Sequence, residues 1–287
     1  MAALDDDLAR VAREVEGSNK VPADVFNLTA FKLQTHDADN MNIYELQGFT
    51  SPMFRISNRY GEPSLAFHTW VGGAVTKGTH YPRTELREMY EWSIHEGRHE
   101  LHGRFTVERF PAGKPMLVVS QATGIHGKGA EFLKLRARQG GKDVRDGTWR
   151  LEACVKAKEE EDGELEEVKL PLGTYRLHEI VEYKAVIEAG KLWIKAGDET
   201  ARNDYRFGRF AEWERQRQDA MAAGLPEEDL AGMPGTACWK LGNYCNCNAE
   251  TADDPNEVAK ADPFLLMGTR ILRLSRSHEF MHTIRYR

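Results

Sequence analysis

The residue pattern from Phe26 onward narrows the fold class of this chain. Short apolar and aromatic runs are separated there by Gly, Pro, Asn and Asp, a pattern typical of many β-strands joined by turns. No internal repeat or low-complexity linker interrupts it, so we predict an all-β fold, a β-jelly-roll sandwich, as one domain over 26–287. The predicted strands are 31–34, 64–71, 85–92, 99–108, 116–120, 131–137, 149–155, 182–187, 191–194, 239–245 and 271–278.

Two segments depart from this strand-and-turn pattern and predict helices. Apolar positions at helical spacing around an Asp run predict a helix over 4–15, within an extension spanning 1–25. The segment 210–223 is rich in Glu, Arg, Gln and Ala and is followed by Gly224 and Pro226, which predicts a helical insertion over 205–235 at the rim of the sandwich. The charged tract 156–167 contains an Asp-Gly pair, so we predict a solvated turn there.

The formal net charge of −6 gives the chain no overall attraction for nucleic acid or an anionic membrane. An anionic ligand therefore needs a local cationic patch. The sequence contains no apolar run of about eighteen residues, so no transmembrane helix is predicted. The first residues lack the basic flank and apolar run of a secretory signal, and localisation stays open.

The four cysteines are too few for a disulfide-built scaffold. Three of them cluster late in the chain, at Cys238, Cys245 and Cys247, and Cys154 stands apart. A zinc site is one interpretation, but a C-x-C without a second matching pair favours packed thiols or one disulfide. We therefore predict no metal.

The first chemical motif lies in the stretch PRTELREM. On a strand, Arg83, Glu85 and Arg87 share one face, because successive side chains alternate. One interpretation is an exposed strand with ordinary cross-strand ion pairs. The other is a cationic platform in which Glu85 orients both arginines to bind a carboxylate.

Two further motifs follow in the chain. His126 lies at a Gly-rich strand end, where it is a candidate base, although a lone histidine is more often structural. Farther on, Lys240, Tyr244 and Asn246 alternate along a strand, with Gly242 leaving space for a ligand. The alternative for this segment is an aromatic strand with a half-buried tyrosine.

Together, in this chain order, the three motifs resemble the alginate lyases of polysaccharide lyase family 7. The signatures of that family are R-(S/T)-E-(L/V)-R, Q-(I/V)-H and Y-F-K-A-G-x-Y-x-Q, and the likeness covers nearly the whole chain from residue 26. The resemblance implies a jelly-roll enzyme that cleaves a uronate polymer, most simply alginate, by β-elimination. It also implies an acidic polysaccharide as partner, a monomer, an extracellular location and no cofactor.

The resemblance also implies the site residues. It gives catalytic roles to Arg83, His126 and Tyr244. It gives substrate binding to Glu85, Arg87, Gln121, Lys240 and Asn246. Two positions depart from the family pattern, because Gly124 stands where the family has a carboxylate-neutralising glutamine and Asn246 where its last motif has glutamine. We expect Asn246 to contact substrate, and Gln121 to replace the missing amide only if the strand is bulged at Thr123–Gly124.

These groups suit elimination from a uronic acid. Arg83 and an amide neutralise the sugar carboxylate, His126 removes the C5 proton, and Tyr244 protonates the leaving O4. With mannuronate, Tyr244 alone could serve as base and acid. A glucuronan-type lyase with the same mechanism and a non-catalytic acidic-polysaccharide-binding jelly roll are the alternatives. A glycoside hydrolase is disfavoured, because Glu85 between arginines is a poor general acid.

Overall fold

The computed structural model describes residues 20–36, 42–57, 63–75, 79–124, 131–140, 147–157, 166–203, 210–226, 229, 233–248, 250, 258–265, 270–275 and 278–283. Side chains are described within these ranges except at 157, 202–203 and from 258 onward. The predicted N-terminal helix over 4–15 lies outside the described residues.

Two helices and eighteen strands are defined in the described part of the chain. The helices are α1 (Pro22–Val25) and α2 (Phe210–Ala222). The strands are β1 (Phe31–Thr35), β2 (Asn42–Ile43), β3 (Phe54–Ser57), β4 (Ser64–Trp70), β5 (Arg83–Glu88), β6 (Trp92–Ser93), β7 (Arg98–Phe105), β8 (Met116–Gly124), β9 (Glu131–Arg138), β10 (Thr148–Ala157), β11 (Glu166–Arg176), β12 (Val181–Glu188), β13 (Lys191–Ala196), β14 (Glu199–Asn203), β15 (Thr236–Cys245), β16 (Val258–Leu265), β17 (Arg270–Ser275) and β18 (His278–Thr283).

The strands form two antiparallel sheets. In the first sheet the order is β11-β10-β9-β8-β15-β5-β1-β2, with β6 also paired to β15. In the second sheet the order is β14-β13-β12-β7-β16-β4-β3, and the β17–β18 hairpin joins through β7. Neighbours such as β8 and β15 are far apart in the chain, as the crossovers of a jelly roll require. The predicted all-β jelly-roll fold is confirmed.

Several strand predictions need correction. The predicted strand over 85–92 is two strands, β5 and β6, and the one predicted over 271–278 covers β17 and the start of β18. Strands β2, β3, β11, β14 and β16 were not predicted. The turn expected within 156–167 lies mostly outside the described residues, but β10 and β11 on either side of it pair directly, with Ala157 opposite Glu166.

The hydrophobic core lies between the two sheets. Leu86 and Leu241 from the first sheet and Phe67 and Phe105 from the second are all buried in it, and the Phe105 ring lies 5.9 Å from the Trp149 ring of β10. Because side chains alternate along a strand, the residues between these core positions project from the opposite face of the first sheet. We call that outer face of the first sheet the site face.

Helix α2 covers one end of the sandwich. Its Phe210 and Trp213 are buried; the Trp213 ring meets the Phe132 ring edge-on at 5.6 Å, and the Phe210 ring lies 4.4 Å from His95. The helix belongs to neither sheet, in agreement with a helical insertion at the rim. The helix is rich in charged residues, but its two buried aromatic side chains belong to the hydrophobic core.

Candidate active site

The centre of the site face is an ion pair within β5. Arg83 Nη1 donates a 3.1 Å hydrogen bond to Glu85 Oε2, and both side chains are buried. A buried carboxylate is strongly unfavourable unless it is paired and hydrogen-bonded. Glu85 therefore needs these partners, and in turn it fixes the position of the Arg83 guanidinium.

Gln121 is the second partner of Glu85. Its Nε2 donates a 2.7 Å hydrogen bond to Glu85 Oε1. The strand carrying it, β8, is bulged between Val118 and Ser120 where it pairs with β9. This bulge changes the alternation before Gln121 and places its side chain on the site face, whereas the irregularity expected from the sequence lay later, at 123–124.

Tyr244 lies against Arg83. The Arg83 guanidinium carbon sits 4.1 Å from the centre of the Tyr244 ring, a cation–π contact, and Tyr81 packs edge-on at 6.2 Å. Burial raises the pKa of Tyr244, and the positive charge of Arg83 only partly opposes this. The phenol therefore keeps its proton at neutral pH, as a proton donor requires.

Lys240 is a buried cation in the same cluster. It pairs in register with Arg87 on one side and with Gln121 on the other. Burial lowers the pKa of Lys240, the Glu85 carboxylate partly restores it and the nearby Arg83 lowers it again, so that the pKa is about 8. Burial disfavours the charged form of Lys240, and an anionic ligand bound nearby would stabilise that form.

Arg87 does not share Glu85, contrary to the sequence-based expectation that this carboxylate orients both arginines. Arg87 Nη2 instead donates to Glu91 Oε1 at 3.2 Å, and its Nε donates to Cys238 Sγ at 3.4 Å. The Arg87 guanidinium is thus fixed by β15 and by the segment after β5. The cluster of Arg83, Glu85, Gln121, Lys240 and Tyr244 is called the central cluster below.

The role expected for Gly242 is wrong. A Cβ at this position would overlap the backbone carbonyl oxygen of Thr84 and lie 2.8 Å from the Glu85 Cα, and its φ of 145° is one that other residues rarely adopt. Glycine is therefore required by the close approach of β15 to β5, and the space it leaves is filled by backbone rather than held open for a ligand.

The remaining predicted residues lie elsewhere. His126 falls in the segment 125–130, outside the described residues, and β8 ends at Gly124. Asn246 follows the end of β15; its backbone N–H donates to the Met116 carbonyl, and no described residue hydrogen-bonds its buried side-chain oxygen. The structure thus joins Gln121, and not Asn246, to the central cluster.

Two neighbouring polar residues of β1 also lie on the site face and were not predicted. Lys32 pairs in register with Arg87, and Gln34 pairs with Glu85, so both extend the polar rows of the site face. Lys32 Nζ donates a 3.0 Å hydrogen bond to the Tyr44 hydroxyl. The strict alternation of Phe31, Lys32, Leu33 and Gln34 was the available signal.

All four cysteines are buried free thiols. Among the described residues, no group of His, Cys, Asp and Glu is arranged to hold a metal ion. Across the same ranges, none of the helices has the length and apolar character needed to cross a membrane.

A jelly roll with a buried cationic cluster beside a protonated tyrosine has the features of a protein that acts on acidic carbohydrate. The family model described as Alginate lyase matches residues 26–262. The chain therefore belongs to the alginate lyase family and is a polysaccharide lyase. A search of curated proteins finds no match.

Solved structures support the same fold. Alginate lyase A1-II′, a member of polysaccharide lyase family 7, is 21% identical, with 83% of this chain and 93% of that chain covered and a TM-score of 0.60. An alginate lyase from Pseudomonas aeruginosa is 17% identical, with 86% and 99% covered and a TM-score of 0.62. One from Corynebacterium sp. is 20% identical, with 85% and 95% covered and a TM-score of 0.57.

Proposed function

We propose that the chain cleaves alginate by β-elimination at the central cluster, leaving an unsaturated uronate end. Family membership supports the reaction class, and the cluster supports the residue roles. The domain acting in this way is 26–287, with 1–25 as an extension, and it works as a monomer on an extracellular polysaccharide without a cofactor.

The observation that carries the proposal is the charge balance around Glu85. Two buried cations, Arg83 and Lys240, surround this one buried carboxylate, and the third cation, Arg87, has Glu91 as its partner. The central cluster therefore holds one positive charge in excess. A uronate carboxylate bound there supplies the missing negative charge, and its neutralisation is what proton abstraction from C5 requires.

Gln121 supplies the amide of the carboxylate site. One N–H of its Nε2 is used by Glu85, and the second N–H of the same group is left to bind a sugar carboxylate. Arg83 and Gln121 are thus both held by one carboxylate, Glu85. Preorganised donors of this kind stabilise the developing dianion without moving during the reaction.

The proton transfers are given to Tyr244 and His126. Tyr244, with its pKa raised by burial, donates a proton to the leaving O4. His126 takes the C5 proton when base and leaving group lie on opposite sides of the sugar. This role rests on the family pattern, and only the sequence position of His126 supports it.

The test is incubation of the protein with alginate, polymannuronate, polyguluronate and glucuronan, followed by ultraviolet absorbance of the unsaturated uronate. We expect absorbance to grow with the alginate polymers. Growth with glucuronan alone would assign the glucuronan-type lyase instead. Binding of all four polymers with no absorbance would assign a non-catalytic module, against which the pairing of Tyr244 with Arg83 argues.

A further inference from the structure

A lysine and a tyrosine extend the site face beyond the central cluster, on β1 and immediately after β2. Lys32 is buried, with 8% of its surface exposed, and its Nζ donates a 3.0 Å hydrogen bond to the Tyr44 hydroxyl. The same Nζ lies 4.5 Å from the centre of the Tyr44 ring, which is a cation–π contact. Two contacts from one buried cation therefore fix the Tyr44 side chain. We call these two residues the Lys32–Tyr44 pair.

The Tyr44 side chain is fixed and yet faces solvent. It is 60% exposed, more than any other exposed large hydrophobic side chain in the described part of the chain. Tyrosine combines an apolar ring with a polar hydroxyl, and such side chains are enriched at binding interfaces. The C–H face of a pyranose ring packs well against an aromatic ring. Tyr44 therefore offers a flat apolar surface for a sugar at the edge of the site face.

The Tyr44 hydroxyl lies close to two cations. The hydrogen bond from Lys32 and the charge of that lysine lower the pKa of Tyr44, desolvation opposes them, and the charge of Arg87 lowers it again. A lysine ammonium has three N–H donors, and the bond to Tyr44 uses one of them. A carboxylate beside the tyrosine ring can therefore accept a charge-assisted hydrogen bond from Lys32.

The Lys32–Tyr44 pair is aligned with the central cluster. One cross-strand row runs from Lys240 on β15 through Arg87 on β5 to Lys32 on β1. Strands in a sheet lie about 4.8 Å apart, so Lys32 is roughly 10 Å from Lys240 along this row. That separation is close to the length of two sugars in an extended polysaccharide. A chain lying along the row thus presents a carboxylate and a sugar ring to the pair.

We propose that the Lys32–Tyr44 pair is a uronate-binding subsite about two sugars from the central cluster. Lys32 binds the carboxylate of that sugar, and the Tyr44 ring packs against its pyranose ring. The inference rests on the proposed function, since it takes the same polymer as the ligand. It adds a requirement for the chain to continue beyond the reacting sugar on the β1 side.

Three variants separate the two contacts. Lys32→Met removes the ammonium and keeps an apolar stem, Tyr44→Ala removes the ring, and Tyr44→Phe keeps the ring and removes only the hydroxyl. Lys191→Met, at an exposed position on β13 of the other sheet, is the control for the loss of a positive charge. Affinity for an alginate hexamer is measured by calorimetry, with Tyr244→Phe added to every protein to prevent turnover. The values of kcat and KM on alginate are measured without that addition.

We expect Lys32→Met to bind the hexamer about tenfold more weakly, or by about 1.4 kcal/mol, because a charge-assisted hydrogen bond is lost. Tyr44→Ala should bind it about fivefold more weakly, and Tyr44→Phe within about twofold of the parent, since only the first loses the ring. KM should rise in Lys32→Met and Tyr44→Ala, and kcat should stay within about twofold of the parent, because the pair binds substrate away from the reacting atoms. Lys191→Met should match the parent.

Unchanged hexamer affinity in either Lys32→Met or Tyr44→Ala would overturn the subsite. An equal loss in Lys191→Met would do so too, because the effect would then be one of overall charge. A fall in kcat at constant KM would place the pair at the reaction instead of at a distal sugar. Because Tyr44 is exposed, Tyr44→Ala should fold, and it carries the comparison with Tyr44→Phe by itself if Lys32→Met does not fold.

The two proposals fail in different ways. A parent protein that produces no unsaturated uronate, but whose hexamer affinity falls in Lys32→Met and Tyr44→Ala, refutes the proposed function and keeps the subsite. A parent that cleaves alginate while both variants retain its hexamer affinity and its KM keeps the function and refutes the subsite.

Discussion

Gln121 and Glu85 are joined by a 2.7 Å hydrogen bond although they are 36 positions apart in the chain. The contact supports the proposal that Gln121 stands in for the glutamine that the family pattern has at Gly124. Gln121 lies in the central cluster, and Asn246 does not contact it. The expectation that ranked Asn246 ahead for contact with substrate has no support among the described contacts.

Replacing Gln121 with alanine should therefore lower kcat by about a hundredfold, because one preorganised donor to the sugar carboxylate is lost. Asn246→Ala serves as the matched amide deletion and should change kcat by less than about threefold. Steady-state kinetics on alginate, followed by ultraviolet absorbance, measures both. Equal losses in the two variants would mean that the amides share the task and that the geometry around Glu85 is not decisive.

Tyr244→Phe should reduce elimination by about two to four orders of magnitude while leaving polymer affinity nearly unchanged. The ring still packs against Arg83, but no proton donor faces the leaving oxygen. Tyr90→Phe, at a half-exposed position, is the control and should behave as the parent does. Lyase activity in Tyr244→Phe close to that of the parent would refute the assigned acid.

The lowered pKa of Lys240 predicts that alkaline pH changes alginate affinity and protein stability in opposite directions. Its folded pKa of about 8 lies below the ordinary lysine value of 10.5, so the unfolded state binds more protons between these two values. Stability contributed by this group therefore rises with pH across that window. Affinity for alginate should fall over the same window, because the lysine loses its charge.

The comparison with Lys240→Met isolates these effects. We measure the free energy of unfolding of both proteins in urea. The value for the parent minus the value for the variant should increase from about pH 8 to pH 10.5. KM for alginate should rise with pH in the parent and remain flat in the variant. A parent and variant with parallel stability profiles would show that Lys240 has an ordinary pKa.

Gly242→Ala should destabilise the protein by about 2–4 kcal/mol, because the new Cβ collides with β5 backbone that has little freedom to move. Gly140→Ala is the matched control: its φ is also positive, at 89°, but its Cβ would meet open space. That variant should cost only about 1 kcal/mol. Chemical unfolding of both variants separates the steric cost from the backbone cost, and similar losses would contradict the proposed collision.

Strand alternation was sufficient to predict part of the site. It placed Arg83 with Glu85, and Lys240 with Tyr244, because β5 and β15 pair in regular register across those positions. It could not place Gln121, whose direction depends on a bulge at 118–120 that shows only in the pairing with β9. Partner strands far away in the sequence determine such bulges.

The same limit explains the strands that were missed. Strand β11 alternates weakly and contains Pro171 next to a bulge, so its own residues carry little strand signal. Its position at the edge of the sheet relaxes the need for apolar residues. Strand β11 was therefore missed from the sequence, whereas the buried strands were largely predicted.

Phe210 and Trp213 make the helical insertion inseparable from the sandwich. Phe210 lies directly over Gly190, where a Cβ would overlap its ring, and Trp213 lies against Phe132 and Gly235. A shortened chain joining β14 to β15 would lose both side chains and expose an apolar surface at that end, of the kind that promotes aggregation. A segment that resembles an accessory insertion is thus part of the hydrophobic core, and we expect a minimal lyase that lacks it to aggregate.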